Sequence, residues 1–289
     1  MIYAITGITG QVGGETAWSL LEAGQSVRAI VRDARKAKLW AQRKCGIAVA
    51  AMEDAEGLAE AFRGADGAFV LLPPVFDPSP DFAEAAATIK ALCQALETAK
   101  PGKVLCISTI GARAKQRNLL TQLGMMEDAL SRLSMPVTLL RPGWFMENAR
   151  WDVDSARKDG VIRSFLQPLE RAIPMVATAD VGRTAASLLA EEWLGCRIIE
   201  MEGPERVSPF RLAAAFSSVL GRNVKAEVFR REEWEGFFRT NGMKNPESRM
   251  RMLDGFNEGW IGFEGRDDEV RKGGIRLEEV IRKLVEETA

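Results

Sequence analysis

The sequence lacks histidine altogether, and its 289 residues include a single tyrosine, Tyr3. The missing imidazole excludes Ser-His-Asp and Cys-His nucleophilic catalysis, and it also excludes metal sites built on histidine. Because Tyr3 lies close to the amino terminus, a tyrosine general acid is excluded everywhere else in the chain. These two absences remove the commonest acid–base and nucleophilic mechanisms.

An excess of one charge is also missing, because 39 Lys and Arg residues face 40 Asp and Glu residues. Binding to a nucleic acid is therefore not expected, since no basic surplus is available for phosphate contacts. The four cysteines are far apart in the sequence and form no C-x-x-C pair: Cys45, Cys93, Cys106 and Cys196. We expect no metal site, and we predict buried, reduced thiols.

Long apolar runs are absent as well. Runs such as residues 68–72 are far shorter than the roughly 18 residues that a membrane span requires. The first residues already form a predicted strand, which leaves no room for a signal peptide. We therefore expect a cytoplasmic protein without membrane association.

Short β-rich runs alternate with amphipathic stretches through the first half of the chain. The predicted strands are Ile2–Thr6, Ser26–Val31, Ile47–Met52, Gly67–Leu72, Val104–Ser108 and Val137–Arg141. The predicted helices are Gly13–Ala23, Ala34–Arg43, Ala55–Phe62, Ser79–Ala99 and Leu119–Leu133. Continuously apolar strands such as the fourth are typical of strands that are buried on both faces. The pattern predicts an α/β fold with a doubly wound parallel Rossmann sheet.

The alternation becomes less regular after about Asn148. Further helices and strands are predicted over Asp180–Glu191, Arg197–Met201, Ser208–Leu220, Val224–Phe229 and Leu277–Glu287. Residues 231–271 have no clean period. We predict a Rossmann domain over residues 1–148 and a smaller α/β lobe over residues 149–289. The second lobe is interleaved with the first and builds a substrate pocket over the carboxyl edge of the sheet.

A glycine-rich turn, G-x-x-G-x-x-G, directly follows the first predicted strand. Gly7 permits a tight turn, Gly10 lets the backbone approach a pyrophosphate, and Gly13 lets the next helix pack against the strand. The N-terminus of that helix offers free N–H groups and a positive dipole end to phosphates. Glycines occur in many turns, but the junction of strand and helix in a βαβ unit favours dinucleotide binding.

The end of the second predicted strand indicates which dinucleotide is bound. An NAD enzyme places Asp or Glu there to bind the ribose 2′-hydroxyl, whereas this chain has Arg32, with Lys36 nearby. A guanidinium suits a 2′-phosphate. Asp33 lies one position beyond the strand and is predicted to cap the next helix. We therefore predict NADP(H), and the alternative interpretation is a solvated, basic start of the helix.

Together with three later segments, these features resemble the NmrA-like family of atypical short-chain dehydrogenases/reductases over nearly the whole chain. The segments that carry the resemblance are Thr6–Gly13, Val31–Asp33, Met135–Asn148, Asp180–Gly182 and Gly203–Ser208. The nearest branches are the NADPH-dependent quinone reductases and the reductases of azo and triphenylmethane dyes. The same family also contains regulators that bind the dinucleotide without turning it over.

The resemblance implies roles for particular residues. Those implied to contact NADP(H) are Gly7, Thr9, Gly10, Gln11, Val12 and Gly13 at the pyrophosphate, Arg32 and Lys36 at the 2′-phosphate, Leu72, Pro73 and Pro74 at the adenosine ribose, Ser108 and Thr109 at the nicotinamide ribose, and Pro142, Gly143, Trp144 and Phe145 beside the nicotinamide. Trp144 and Phe145 are candidate walls for a flat substrate, or else they simply pack the two lobes together. Arg113, Lys115 and Asn148 are further candidate polar contacts.

The chain departs from typical short-chain dehydrogenases, which carry Tyr-x-x-x-Lys on the helix after the fifth strand. Leu119–Leu133 contains neither residue type, and Asp128 stands where NmrA-like relatives often keep the lysine. Reduction of an ordinary ketone gives an alkoxide, which needs a placed proton donor. Hydride addition to a quinone gives a phenolate-like anion, whose conjugate acid has a pKa of about 10. Solvent can protonate that anion, so no catalytic residue is assigned.

The missing dyad favours an NADPH-dependent reductase of flat conjugated acceptors, which are quinones, azo compounds or triphenylmethane dyes. The partner would be a small aromatic or quinonoid substrate, and a homodimer is left open. The alternative hypothesis is a regulatory protein that senses NADP(H) without turnover, which the missing dyad supports directly. A third hypothesis, a ketone or isoflavone-type reductase, needs a proton donor from elsewhere in the chain.

Overall fold

The computed structural model describes residues 1–288. Its strands are β1 (Ile2–Ile5), β2 (Ser26–Val31), β3 (Gly46–Val49), β4 (Gly67–Leu71), β5 (Val104–Ile107), β6 (Val137–Pro142), β7 (Trp144–Phe145), β8 (Val161–Ser164), β9 (Ile173–Val176), β10 (Cys196–Glu202), β11 (Arg206–Val207), β12 (Lys225–Val228) and β13 (Arg271–Lys272). Its α-helices are α1 (Gln11–Glu22), α2 (Lys38–Gln42), α3 (Ala55–Phe62), α4 (Ala83–Ala99), α5 (Thr121–Leu130), α6 (Val153–Lys158), α7 (Thr178–Ala190), α8 (Pro209–Leu220), α9 (Trp234–Thr240), α10 (Glu247–Glu258) and α11 (Leu277–Glu287).

The main sheet has eight strands in the order β13-β10-β6-β5-β4-β1-β2-β3, and neighbouring strands are parallel. This arrangement confirms the predicted fold class, a doubly wound Rossmann sheet. The strand order reverses between β1 and β4, so the carboxyl ends of these strands open a crevice. Ligands of such sheets bind at this switch point.

Three elements that follow residue 148 lie in the Rossmann layer, namely β10, β13 and α7. Strand β10 pairs with β6, and α7 packs across α1. Gly182 permits that close packing, because a Cβ there would lie 2.5 Å from the Cβ of Glu15. The predicted division into two lobes at residue 148 stays a prediction. The Rossmann layer contains elements from both sides of that residue.

The remaining elements of the second half build a separate apolar core. They form a two-stranded sheet (β12-β8) and, with β7 from before residue 148, a three-stranded sheet (β11-β9-β7). Large side chains of the core include Phe216, Trp234 and Phe256, which are at most 3% exposed. Helix α10, in the segment without a clean period, was missed by the sequence prediction, although it packs Leu253 and Phe256 into this core.

Three local predictions are corrected. The helix expected from Ser79 begins only at Ala83, because Phe82 before it has the left-handed conformation (φ 59°). The helix expected over residues 34–43 is split into a 3₁₀ turn and the short α2. Cys196 is exposed rather than buried, since it begins β10 beyond the apolar part of that strand. In the described part of the chain, no helix is long and apolar enough to cross a membrane.

Candidate functional site

The turn between β1 and α1 has two positions at which a side chain would clash. Gly7 has a φ of +60°, and a Cβ there would lie 2.8 Å from Leu71 Cδ2. A Cβ on Gly13 would lie 2.5 Å from the carbonyl oxygen of Gly7. Gly10 donates its N–H to the same oxygen at 2.9 Å. The backbone of the turn therefore closes on itself to a degree that only glycine allows.

The turn leaves the start of α1 open. Gly10 is the N-cap residue and has no side chain to bond the free N–H groups of the first helical turn. Thr9, Gly10 and Gln11 are exposed, whereas Val12 is buried beneath them. Free N–H groups at an exposed helix N-terminus can bind phosphate oxygens, and the helix dipole favours their negative charge.

The carboxylate that follows β2 is engaged within its own turn. Asp33 accepts a hydrogen bond from the backbone N–H of Arg35 at 2.9 Å and pairs with its guanidinium at 2.8 Å. Hydrogen bonds from the Arg35 side chain hold the pKa of Asp33 below its ordinary value. The predicted capping role of Asp33 is thereby confirmed. Arg32 and Lys36 stay exposed at the end of the strand.

A cavity of about 260 Å³ lies beyond the end of β4. Its walls come from the segment after β4, from the first turns of α4 and from the segment before α3, and they include two carboxylates: Glu53, Leu72, Pro73, Val75, Glu84, Ala85, Ala87 and Thr88. Pro74 is exposed beside it. Two of the residues predicted to flank the adenosine ribose, Leu72 and Pro73, therefore line an open space that is mostly apolar.

A buried charge cluster lies behind the end of β5. Ser108 donates its hydroxyl to Glu127 Oε1 at 2.5 Å, and Glu127 on α5 is fully buried. Glu127 also accepts two hydrogen bonds from Arg141, from Nε at 2.8 Å and from Nη2 at 2.7 Å. Arg141 reaches Glu264 at 2.7 Å and Glu200 at 3.5 Å. Burial opposes the charge of Arg141, but its hydrogen bonds to carboxylates raise the pKa of the guanidinium.

The sequence prediction missed this cluster. Arg141 is the one charged residue of the fully buried strand β6. A buried charge is retained only when it is paired, so a single arginine in such a strand is a signal that carboxylates must lie nearby. Which carboxylates they are depends on the packing of α5, β10 and the segment that contains Glu264.

The helix α5 lacks the typical dyad. Asp128 is exposed and pairs with Arg113, which also lies 3.1 Å from Glu127. Gly124 stands four residues before Asp128, at the spacing where the tyrosine of Tyr-x-x-x-Lys would lie. A Cβ on Gly124 would clash with the carbonyl oxygen of Ala112. Neither position can therefore provide the usual proton donor.

The aromatic candidates follow β6 directly. Trp144 and Phe145 form β7 and are both half-buried. Trp144 meets the ring of Phe256 edge-on, with a centroid distance of 5.3 Å. Phe145 packs against the core of the Rossmann layer. The two residues thus connect the two cores and keep part of their surface free. They can therefore both pack the lobes together and form a wall for a flat substrate.

The other predicted polar contacts lie apart from one another. Asn148 is exposed in the 3₁₀ turn that follows Phe145, and Lys115 is exposed in the segment before α5. Arg113 is engaged by the carboxylates of α5. Thr109 is half-buried beside the buried Ser108. The assignment of individual contacts to cofactor or substrate stays a prediction.

The sheet order, the glycine turn and the open start of α1 define a Rossmann protein with a dinucleotide-type site at its switch point. The chain belongs to the NAD(P)H-binding family, whose model matches residues 7–192. The predicted resemblance to the NmrA-like branch is confirmed.

Relatives of known identity agree with this assignment. The NAD(P)H azoreductase of Xenophilus azovorans is 28% identical over 256 residues, which are 88% of this chain and 84% of the relative. The fold matches the NADPH-dependent quinone oxidoreductase of Escherichia coli with a TM-score of 0.81 at 22% identity, covering 98% of this chain and 99% of the other. It also matches the triphenylmethane reductase of Citrobacter sp. with a TM-score of 0.80 at 21% identity, covering 99% and 100%.

Proposed function

We propose that this protein is an NADPH-dependent reductase that transfers hydride to a flat conjugated acceptor, namely a quinone, an azo compound or a triphenylmethane-type dye. The observation that carries the proposal is the packing of Gly124 beneath the carbonyl of Ala112. In an NAD(P)H-binding chain, this packing leaves no room for a tyrosine at position 124, where the proton donor of the usual dyad would lie. This arrangement favours an acceptor whose reduced form needs no placed proton donor.

The residues at the switch point fit NADPH. The turn around Gly7 and Gly13 is too narrow for a Cβ, and the start of α1 is open to phosphate oxygens. Because Arg35 engages Asp33, Arg32 and Lys36 are the free charges that would hold a 2′-phosphate. The cavity beside Leu72 and Pro73 would take the adenosine. When bound, NADPH would supply the hydride.

The residues near the nicotinamide end would position the acceptor rather than protonate it. Ser108 donates its only hydroxyl proton to the buried Glu127, so toward a ligand its oxygen can act only as a hydrogen-bond acceptor. Trp144 and Phe145 would hold a flat ring in place, and orientation of this kind lowers the barrier substantially. The activities of the azoreductase and quinone oxidoreductase relatives support the same acceptor class.

The test is consumption of NADPH, followed by its absorbance, with a panel of quinones, azo dyes and triphenylmethane dyes. We expect turnover of at least one class, with NADPH preferred over NADH. The matched variants are Trp144→Leu, which removes one candidate wall, and Trp151→Leu, which changes an exposed tryptophan in the next turn. Tight binding of NADPH without turnover of any panel member would contradict the proposal.

The second candidate function is a sensor of NADP(H) without turnover. The observation that favours it is the same α5, where Gly124 and the ion-paired Asp128 replace the dyad. Since a ligand shifts an equilibrium only through different affinities for its two states, a redox sensor must distinguish NADP+ from NADPH. Calorimetry with both forms tests this, and equal affinities would rule out a redox switch.

A further inference from the structure

Arg249, on the first turn of α10, is a half-buried cation without a carboxylate partner among residues 1–288. Its guanidinium carbon lies 5.0 Å from the ring centre of Phe238 and 5.5 Å from that of Phe76. Two other arginines of the same lobe, Arg231 and Arg251, also contact aromatic rings. Both of those pair with Asp254, so Arg249 differs from them in lacking an anion.

The surroundings of Arg249 do not neutralise it. Burial is the only cause that acts on its guanidinium, and it lowers the pKa. Asp77 stands next to Phe76, but its carboxylate accepts the backbone N–H groups of Lys244 and Asn245 at 2.8 Å and 2.7 Å. Because arginine keeps its proton in proteins, the site carries a permanent positive charge between two aromatic faces. An anion attached to an aromatic ring would complement both features.

Arg249 lies on the helix that contacts one of the candidate walls of the acceptor site. It stands seven residues before Phe256, so the two side chains share one face of α10 and are about 10 Å apart along its axis. Phe256 contacts Trp144, one of the proposed walls of the acceptor site. Phe76 belongs to the segment that follows β4 and begins with Leu72.

We propose that Arg249 binds an anionic substituent, a carboxylate or a sulfonate, on the flat acceptor, and that it thereby selects acidic aromatic substrates. The inference deepens the proposed reductase function and rests on it for the identity of the ligand as an acceptor. The cofactor's phosphates are not the expected partner, since the glycine turn, Arg32 and Lys36 are proposed to hold them.

The experiment measures binding without turnover, in the protein saturated with NADP+. Calorimetry compares naphthalene-2-sulfonate with 2-naphthol, which has the same rings but no charge at pH 7. A charge-assisted contact of this kind predicts about 10- to 100-fold tighter binding of the sulfonate. Arg249→Met is expected to abolish that preference and Arg249→Lys to retain part of it. The control is Arg43→Met, because Arg43 stacks on Trp18, on the helices of the Rossmann layer.

Several results would overturn the inference. The first is that the wild-type protein binds the sulfonate no more tightly than the naphthol. The second is that Arg249→Met loses the same affinity for both ligands. The third is that this variant loses affinity for NADP+ but still prefers the sulfonate. If Arg249→Met does not fold, the wild-type comparison and Arg249→Lys decide the question. A sulfonate preference that depends on Arg249 supports the site even if no acceptor is turned over. Turnover without such a preference overturns only this inference.

Discussion

Gly13 is the residue at which the first helix comes nearest to the turn that precedes it. A Cβ there would lie 2.5 Å from the carbonyl oxygen of Gly7, so Gly13→Ala must displace the turn or the helix. Overpacking of this kind costs about 1–3 kcal/mol. We expect a lower free energy of unfolding in urea and weaker NADPH binding.

The control for Gly13 is a glycine with free space. Gly236 lies inside α9 with no atom near its missing Cβ, so Gly236→Ala should stabilise the protein by about 0.5–1 kcal/mol through helix propensity. Equal effects of the two substitutions in the urea unfolding experiment would mean that the turn tolerates a side chain.

Arg32 is the residue on which we propose that the preference for NADPH depends. Asp33, the acid that could have bound a ribose hydroxyl, is paired with Arg35. Loss of a charge-assisted contact in Arg32→Ser should weaken NADPH binding about 10- to 100-fold and leave NADH binding little changed. Fluorescence titration with both cofactors measures this. Lys38→Ser, an exposed cation one turn further on, is the control, and equal losses of NADPH and NADH in Arg32→Ser would refute the assignment.

At the scale of elements, the 3₁₀ turn Met146–Asp152 joins the candidate site to the second core. Burial raises the pKa of its last residue, Asp152, from 3.8 to about 7. The folded protein therefore binds a proton more tightly than the unfolded chain does, and this group makes stability fall as pH rises from about 4 to about 7. Below that window the group has no effect.

Asp152→Asn should remove the loss of stability that the wild type shows as pH rises from about 4 to about 7. We expect the variant to match the wild type near pH 4 and to have the higher Tm at pH 8, as measured by thermal unfolding across that range. Asp154→Asn changes an exposed neighbour and should leave the pH dependence unaltered. A constant difference in Tm between wild type and Asp152→Asn at all pH values would contradict the assigned titration.

Elements differed in how well the sequence predicted them. The strands β1, β2, β4 and β5 end within one residue of their predictions, because continuous apolar runs between turn residues are local signals. Helix α10 was missed, since its apolar positions (Met250, Leu253 and Phe256) are spaced between charged residues in a segment rich in glycine and asparagine. Its helical state is supported by packing against the second core rather than by its own composition.

At the scale of the whole molecule, Arg141 connects parts of the chain that lie far apart in sequence. It bonds Glu127 on α5 and Glu264, which is 123 residues away. Removal of one partner from a buried pair costs about 3–5 kcal/mol because it leaves the other charge unpaired. Glu127→Ala should therefore be strongly destabilising in urea unfolding.

Glu264→Ala is the matched test on the same arginine. The Glu264 side chain is 56% exposed, and pairs that reach solvent contribute about 0–1 kcal/mol. Both variants should be compared at high and low salt, since only the Glu264 contact is open to screening. If Glu127→Ala is no more destabilising than Glu264→Ala, the buried cluster is not the structural connection described.

The sequence by itself determined the fold class, the glycine turn at Gly7 to Gly13, the capping role of Asp33 and the lack of tyrosine and lysine on α5. These follow from residue type and short-range spacing, which act within one or two turns of the chain. Only the tertiary structure decided that Gly124 is covered by Ala112, that Arg141 is paired by three carboxylates and that Arg249 is left without one. The physical reason is that an ion pair, or a clash with a distant carbonyl, depends on which elements pack together in the fold. The spacing of residues along one helix or strand does not specify those contacts.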